Sequence, residues 1–174
     1  MSLTRGAFKG SLGIALLVTC MFTSVLAVGT VEPDSRALDE AKLVRGWRFT
    51  RMEGCFMHKV NAARRRHGRA TLNRDPQLGY VGRIHSNRMA SYSSIWHDNV
   101  ASKVTRWIRV GQNVGAGKRC RGLFRAFMRS YTHRRNILGR WRHQGVGIDW
   151  RNGRLYVHMI FESRRDPGNI WHYP

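Results

Sequence analysis

The run FMRSYTHRRNILGRWRHQGVGI, residues 127–148, decides how the rest of the chain is read. It sets one histidine, His133, just after the apolar end of a helix, then a tight Asn136-Ile137-Leu138 turn, then a Gly-rich approach to a strand. Downstream, His143 to Trp150 reads as that strand, Arg151-Asn152-Gly153 as a turn, and Arg154 to Glu162 as the partner strand. Asn-Gly between two alternating runs is a strong hairpin signal. In the second strand Leu155, Val157, Met159 and Phe161 alternate with Tyr156, His158 and Ile160, as two faces of a sheet require. Upstream, the spacing predicts a helix from about Arg119 to Ser130 with Cys120, Leu123, Phe124, Phe127 and Met128 inward. Arg121, Arg125 and Arg129 then share one exposed face at four-residue steps.

Two further helices precede this region. Met52, Phe56, Val60 and Ala63 recur at helical spacing, and Gly68 is a natural stop. Arg64, Arg65, Arg66 and His67 close that helix, where cations suit the C-terminal dipole. Asp75 as N-cap and Pro76 in the first turn start the next helix, with Leu78, Val81, His85 and Met89 on one face. His85 on an apolar stripe reads as a buried, hydrogen-bonded core histidine rather than a ligand. Ser93 to Gly117 has little periodicity. It carries Trp96-His97-Asp98, Trp107 and the Gly-rich run from Val110 to Gly117. That run lacks the flanking strand, helix and Gly-Lys-Ser/Thr ending of a nucleotide loop, and that reading is rejected.

Composition bounds the function. The chain has 174 residues, 42% of them hydrophobic, which suits one domain with a real core plus a short appendage. Thirty-one Lys and Arg against ten Asp and Glu give a net charge of +21 and a positive field over much of the surface. An anionic partner or a merely self-repelling surface would each account for it. Arg5 and Lys9 followed by the apolar run Leu12 to Val28 predict a signal peptide over residues 1–27, cleaved after Ala27. The alternative is an uncleaved membrane anchor. Cleavage takes the charge from +21 to about +19. It also removes Cys20 and leaves Cys55 and Cys120. In an oxidising compartment these read as one disulfide, ahead of a catalytic thiol or a metal pair. Residues 28–53 form an approach segment, with Pro33-Asp34-Ser35 able to cap a short helix, and residues 163–174 form a C-terminal tail. There is no internal repeat.

Several blocks follow one another in order. They are Asn61-Ala62, Arg65, His67-Gly68 and Leu72, then Leu78, His85-Ser86, Met89-Ala90 and His97, then Gly111-Gln112-Asn113-Val114-Gly115. Phe127-Met128, Ser130, His133-Arg134, Asn136-Ile137-Leu138 and Gly145-Val146-Gly147 complete the set. Together they resemble the bacterial branch of the CAP superfamily, the SCP-like extracellular proteins related to cysteine-rich secretory, antigen 5 and pathogenesis-related proteins. The resemblance covers residues 54–162. It implies an α+β fold, an α-β-α sandwich with a small antiparallel sheet flanked by helices, and a secreted protein. It further implies a cleft bearing two histidines and two acids that in some members holds zinc or another divalent ion, and a link to sterol or lipid binding.

Carried over residue by residue, His97 matches the first cleft histidine and His133 the second. The first acid is replaced by Gln112, beside Asn113, and no counterpart of the second is found near Phe127, Met128 and Arg129. Between Asp98 and Asp149 there is no carboxylate, against twelve Lys and Arg. Two imidazoles and a neutral amide in a positive field make a poor dication site, so no cofactor is required, and zinc at His97 and His133 would be weak. Ser130 and His133 can be drawn as a nucleophile–base pair without an acidic third member. There is no H-E-x-x-H or G-x-S-x-G motif. The blander reading of His97 and His133 is that they hold loop backbone. Trp96, Trp107 and Trp141 either line a lipid groove or anchor loops. The expectation is a secreted, non-enzymatic module whose basic cleft binds an anionic or amphipathic ligand, with an anionic surface or lipid as partner. A metal-assisted hydrolase is one alternative. The other is a charge-driven binder of wall polymer or, without base preference, of nucleic acid. No specific protein partner is identifiable.

Overall fold

The computed structural model describes residues 47–105 and 107–163. The expected signal peptide, Cys20, most of the expected approach segment and the tail beyond Ser163 lie outside the described residues. Helix α1, Arg51–Arg66, begins with a capping box. Thr50 Oγ1 accepts from Glu53 N–H at 3.3 Å, and Glu53 Oε2 accepts from Thr50 N–H at 2.7 Å. The helix thus starts at Arg51, and Met52, expected inward, is 40% exposed. It closes at Gly68, whose φ of +62° needs no side chain. Short strand β1, Asn73–Arg74, leads to α2, Pro76–Ser91, where buried Asp75 accepts from Leu78 N–H at 3.1 Å as expected of its N-cap. A single 3₁₀ turn, Val100–Ser102, follows.

The Gly-rich run expected to be irregular is a strand, β2, Val110–Gly117. Its weak apolar pattern has a packing cause. A Cβ on Gly115 would stand 2.7 Å from the Phe127 ring and one on Gly111 2.8 Å from Trp141, so these positions are small to admit aromatic rings. Helix α3, Cys120–Arg129, turns at Ser130 into a second short helix, α4, Tyr131–Ile137. His133 therefore stands inside α4 rather than in a turn after α3. The hairpin β3, His143–Arg151, and β4, Arg154–Glu162, matches the reading of the sequence, with Asn152 and Gly153 at φ of +50° and +71°.

The sheet order is β1-β3-β4-β2. β4 pairs antiparallel with both β3 and β2, while β1 adds a parallel pair on β3. Both faces of β4 are covered. Leu155, Val157, Met159 and Phe161 join Phe56, Met57 and Val60 of α1 with Leu123, Phe124 and Phe127 of α3 in one core. Ile160 and Tyr156 pack under α2, with Leu78 and Val81 and with Met89 and Ala90. This is an α-β-α sandwich, as expected. Gly145 and Gly147 of β3 let α2 lie directly on the sheet, since a Cβ on Gly147 would meet the Arg83 and Gly82 backbone. Cys55 and Cys120 are bonded and tie α1 to the start of α3.

Arg64 does more than serve the helix dipole. It is buried, and its guanidinium donates to Ala70 O at 2.7 Å, Ile137 O at 2.8 Å and Gly139 O at 2.9 Å. One cation thereby satisfies the carbonyls that end α4 and sets that helix against α1.

Candidate functional site

α4 is held on β2 by two amides. Buried Asn113 donates through Nδ2 to His133 O at 3.0 Å. Asn136 Nδ2 donates to Gln112 O and to Asn113 Oδ1, both at 2.9 Å. The His133 ring rests half-buried against Phe127, centroids 5.0 Å apart, with Nδ1 2.8 Å from Ser130 Oγ. Burial holds its pKa below the ordinary histidine value, with the Val114 backbone pulling the other way and His97 adding to the drop. That contribution places His97, which is exposed, within electrostatic reach of His133.

Gln112 is not a spare cleft ligand. Its side-chain amide closes a two-point pair with the backbone of Asp98: Oε1 accepts from Asp98 N–H at 3.1 Å and Nε2 donates to Asp98 O at 2.6 Å. Only one orientation of the amide satisfies both bonds. His158 Nε2, 3.0 Å from Gln112 Oε1, must then carry the proton and donate. His158 is fully buried, and burial lowers its pKa to about 3, with His85, His97 and Lys103 adding to the drop and Asp98 opposing it. It is a neutral imidazole at any physiological pH.

His85 is the core histidine that its position on an apolar face implied. It is fully buried, and Nε2 donates to Trp96 O at 2.7 Å. Its ring lies 4.7 Å from that of His158 and 5.3 Å from Trp96, both edge-on. Trp96 O on one side and the Asp98 peptide on the other are thus clamped, and His97 is the residue between them. Asp98 is engaged by Lys103 and lies near His85. Both its carboxylate oxygens take Lys103 Nζ at 2.7 Å, and Oδ2 lies 3.7 Å from His85 Nδ1. Burial pushes its pKa up, but Lys103, His85 and the Asn99 N–H outweigh that and leave it lower than usual. The remaining tryptophans anchor loops: Trp107 Nε1 donates to Val104 O at 3.1 Å and Trp141 Nε1 to Asn136 O at 2.6 Å.

The fit of a divalent ion can be tested on these donors. A zinc centre needs three or four of them. Of the groups near His97 in sequence or on β2, the Gln112 amide is spent on the Asp98 peptide and the Asp98 carboxylate on Lys103. Among the described residues no group of three or more His, Cys, Asp or Glu could hold a metal. The donor set does not fit such an ion, and no step is derived through one. The clamp residues His158 and Gln112 were missed as a pair in the sequence. A histidine on the helix-facing side of β4, opposite an amide on β2, was the signal, but only the register Gln112 to Ile160 brings them together.

Comparison with known proteins agrees with this architecture. The model of the "Cysteine-rich secretory protein family" (CAP) matches residues 57–159. A search of curated protein sequences finds no match. Among solved structures, an outer surface protein of Borrelia burgdorferi is similar at a TM-score of 0.58 with 12% identity, over 63% of this chain and 90% of that one. An extracellular SCP-domain protein of Bacillus anthracis is similar at 0.56 with 21% identity, over 68% of this chain and 45% of that one. Venom allergen-like protein 4 of Schistosoma mansoni is similar at 0.54 with 11% identity, over 72% and 97%. At these identities the structures show the fold alone. Among the described residues no helix is long and apolar enough to cross a membrane.

Proposed function

This chain belongs to the cysteine-rich secretory protein (CAP) family, and from that premise we propose that it is a secreted, non-enzymatic binding module. Its cleft, walled by His97 and His133, takes an anionic or amphipathic ligand such as a lipid. Family members are typically extracellular, which supports the secreted reading. One observation carries the cleft reading: Gln112, where the family places an acid, spends both of its side-chain polar atoms on the Asp98 peptide. The cleft therefore offers two imidazoles and no carboxylate from position 112, inside a strongly basic protein, and an anion is the ligand such a wall favours.

The test is sedimentation with vesicles of phosphatidylglycerol or of phosphatidylcholine at rising salt. The expected result is a preference for the anionic vesicles that weakens with salt and drops about tenfold in His97→Ala/His133→Ala, since screening weakens exposed charge contacts. No preference at low salt sinks the proposal. The 2.8 Å approach of Ser130 Oγ to His133 Nδ1 supports a second reading, a hydrolase. Turnover of a nitrophenyl ester lost in Ser130→Ala would put it ahead. Identical weak zinc uptake by the wild type and the double-histidine variant in calorimetry would remove its metal-assisted form.

A further inference from the structure

A separate groove of about 560 Å³ runs between α1 and α3. Lys59 and Arg66 wall it from α1, and Arg121, Arg125 and Arg129 from α3. Its floor is Ala62, Phe124 and Met128. No carboxylate lines it. The ion pairs among the described residues, Arg83–Glu53, Lys103–Asp98 and the His85–Asp98 contact, involve none of its five cations. Like charges at four-residue steps cost a helix a few tenths of a kcal/mol each, roughly 0.2–0.5. The fold itself thus gains nothing from the ladder Arg121, Arg125, Arg129, and glutamine at these exposed sites would serve α3 as well.

We infer that this groove is a second binding site, independent of the histidine cleft, for the backbone of a linear phosphodiester chain. The three arginines rise about 6 Å apart along α3, a track of roughly 12 Å that faces two cations across the groove. Guanidinium forks match phosphate oxygens bidentately. The track continues past Arg121 to Arg119 and Lys118 at the start of α3, where no side chain caps the helix and its N–H groups also favour an anion. The Cys55–Cys120 bond fixes the two walls relative to each other, so little is lost in ordering them on binding. A linear chain fits better than a membrane. The site is a trough with charged walls and a sunken apolar floor, and none of the exposed large apolar side chains of the described residues lines it. Its one exposed ring is His58, a single imidazole from α1 with no second exposed ring in the lining on which successive bases could stack, so the groove reads the backbone and not the sequence. A polyol-phosphate wall polymer is the occupant this lining favours, because it carries phosphodiesters without bases that need stacking rings; single-stranded nucleic acid is the other outcome of the test.

The probes are a labelled poly(glycerol phosphate) oligomer and a labelled oligothymidylate, titrated by anisotropy against the full chain. Arg121→Gln/Arg125→Gln/Arg129→Gln is compared with Arg74→Gln/Arg88→Gln/Arg142→Gln, exposed sites elsewhere that remove the same charge. The groove variant is expected to lose at least about tenfold in affinity and about 2 from the log–log salt slope, while the control loses less than about threefold. His97→Ala/His133→Ala is expected to bind both chains as the wild type does, which keeps this site's failure distinct from that of the cleft. The poly(glycerol phosphate) oligomer is expected to bind the more tightly, and tighter binding of the oligothymidylate would overturn the wall polymer as occupant. Equal losses in the two triple variants would overturn the site, because the whole-protein field would then suffice. So would binding of neither chain alongside anionic-vesicle binding that the groove variant abolishes. Arg121→Lys/Arg125→Lys/Arg129→Lys keeps fold and charge and is expected to lose about threefold, and no loss at all would refute recognition by guanidinium forks.

Discussion

Lowering the pH from 7.5 to 5 should cost this protein about 2 kcal/mol of stability through one residue, His158. In the unfolded chain its pKa is 6.5, and in the fold burial takes it to about 3, so between these values the unfolded state binds more protons. Stability is therefore full above about pH 6.5 and falls as the pH drops toward 3. At pH 5 the linkage integral comes to about 2 kcal/mol. That figure is set by the unfolded value, because the folded value lies well below pH 5. The groups facing His158 are Gln112 from β2, His85 from α2, and His97, Asp98 and Lys103 from the loop between them. His133, also lowered, adds in the same direction. Asp98 is lowered from 3.8, so its own contribution is present throughout this window and disappears only at lower pH. The assay is urea unfolding at both pH values with linear extrapolation. His158→Gln, which keeps an N–H donor and cannot titrate, is measured alongside. It should be less stable at pH 7.5, and its loss on acidification should be smaller than the wild type's by about 2 kcal/mol. An identical pH dependence in the two proteins would refute the neutral-imidazole clamp.

Three more perturbations separate the parts of the structure. Gln112→Glu turns a donor into an acceptor against Asp98 O at 2.6 Å, and should cost about 1–3 kcal/mol in urea unfolding. It should also shrink the pH dependence just described, because a carboxylate beside His158 raises the imidazole's pKa. Arg64→Met strands three carbonyls at the α1–α4 junction and should cost about 3 kcal/mol, read as a lower urea midpoint with an unchanged slope. Cys55→Ser/Cys120→Ser opens a covalent link across a sequence separation of 65. It should cost about 4 kcal/mol in the chain-entropy account, and the same loss should follow when the wild type is unfolded under reductant.

The hairpin, the two N-terminal helices and the disulfide were legible because each rests on a local or compositional rule. Asn152-Gly153 fixes the turn, Asp75-Pro76 the start of α2, and the two cysteines outside the N-terminal apolar run pair with each other. β2 was not legible, because Gly111 and Gly115 are small for Trp141 and Phe127, which lie far away in sequence. α4 was hidden by its length, since seven residues give no period to read. His85 was correctly read as core from its place on an apolar stripe. The role of Gln112 could not be read, because it depends on a peptide 14 residues away and on the register that sets His158 behind it.

That role changes what the missing acid means. A carboxylate at position 112 could serve an ion but could not also donate to the Asp98 carbonyl, whereas an amide can both donate and accept and so close the pair with the peptide. The exchange of acid for amide thus trades a metal ligand for a loop clamp, and His158 makes the trade consistent. A buried imidazole with a neutral amide on its Nε2 has no reason to charge, and its neutrality in turn leaves the amide oxygen free of ionic demands. The loop that carries His97 is therefore held by neutral groups at Trp96 and at the Asp98 peptide.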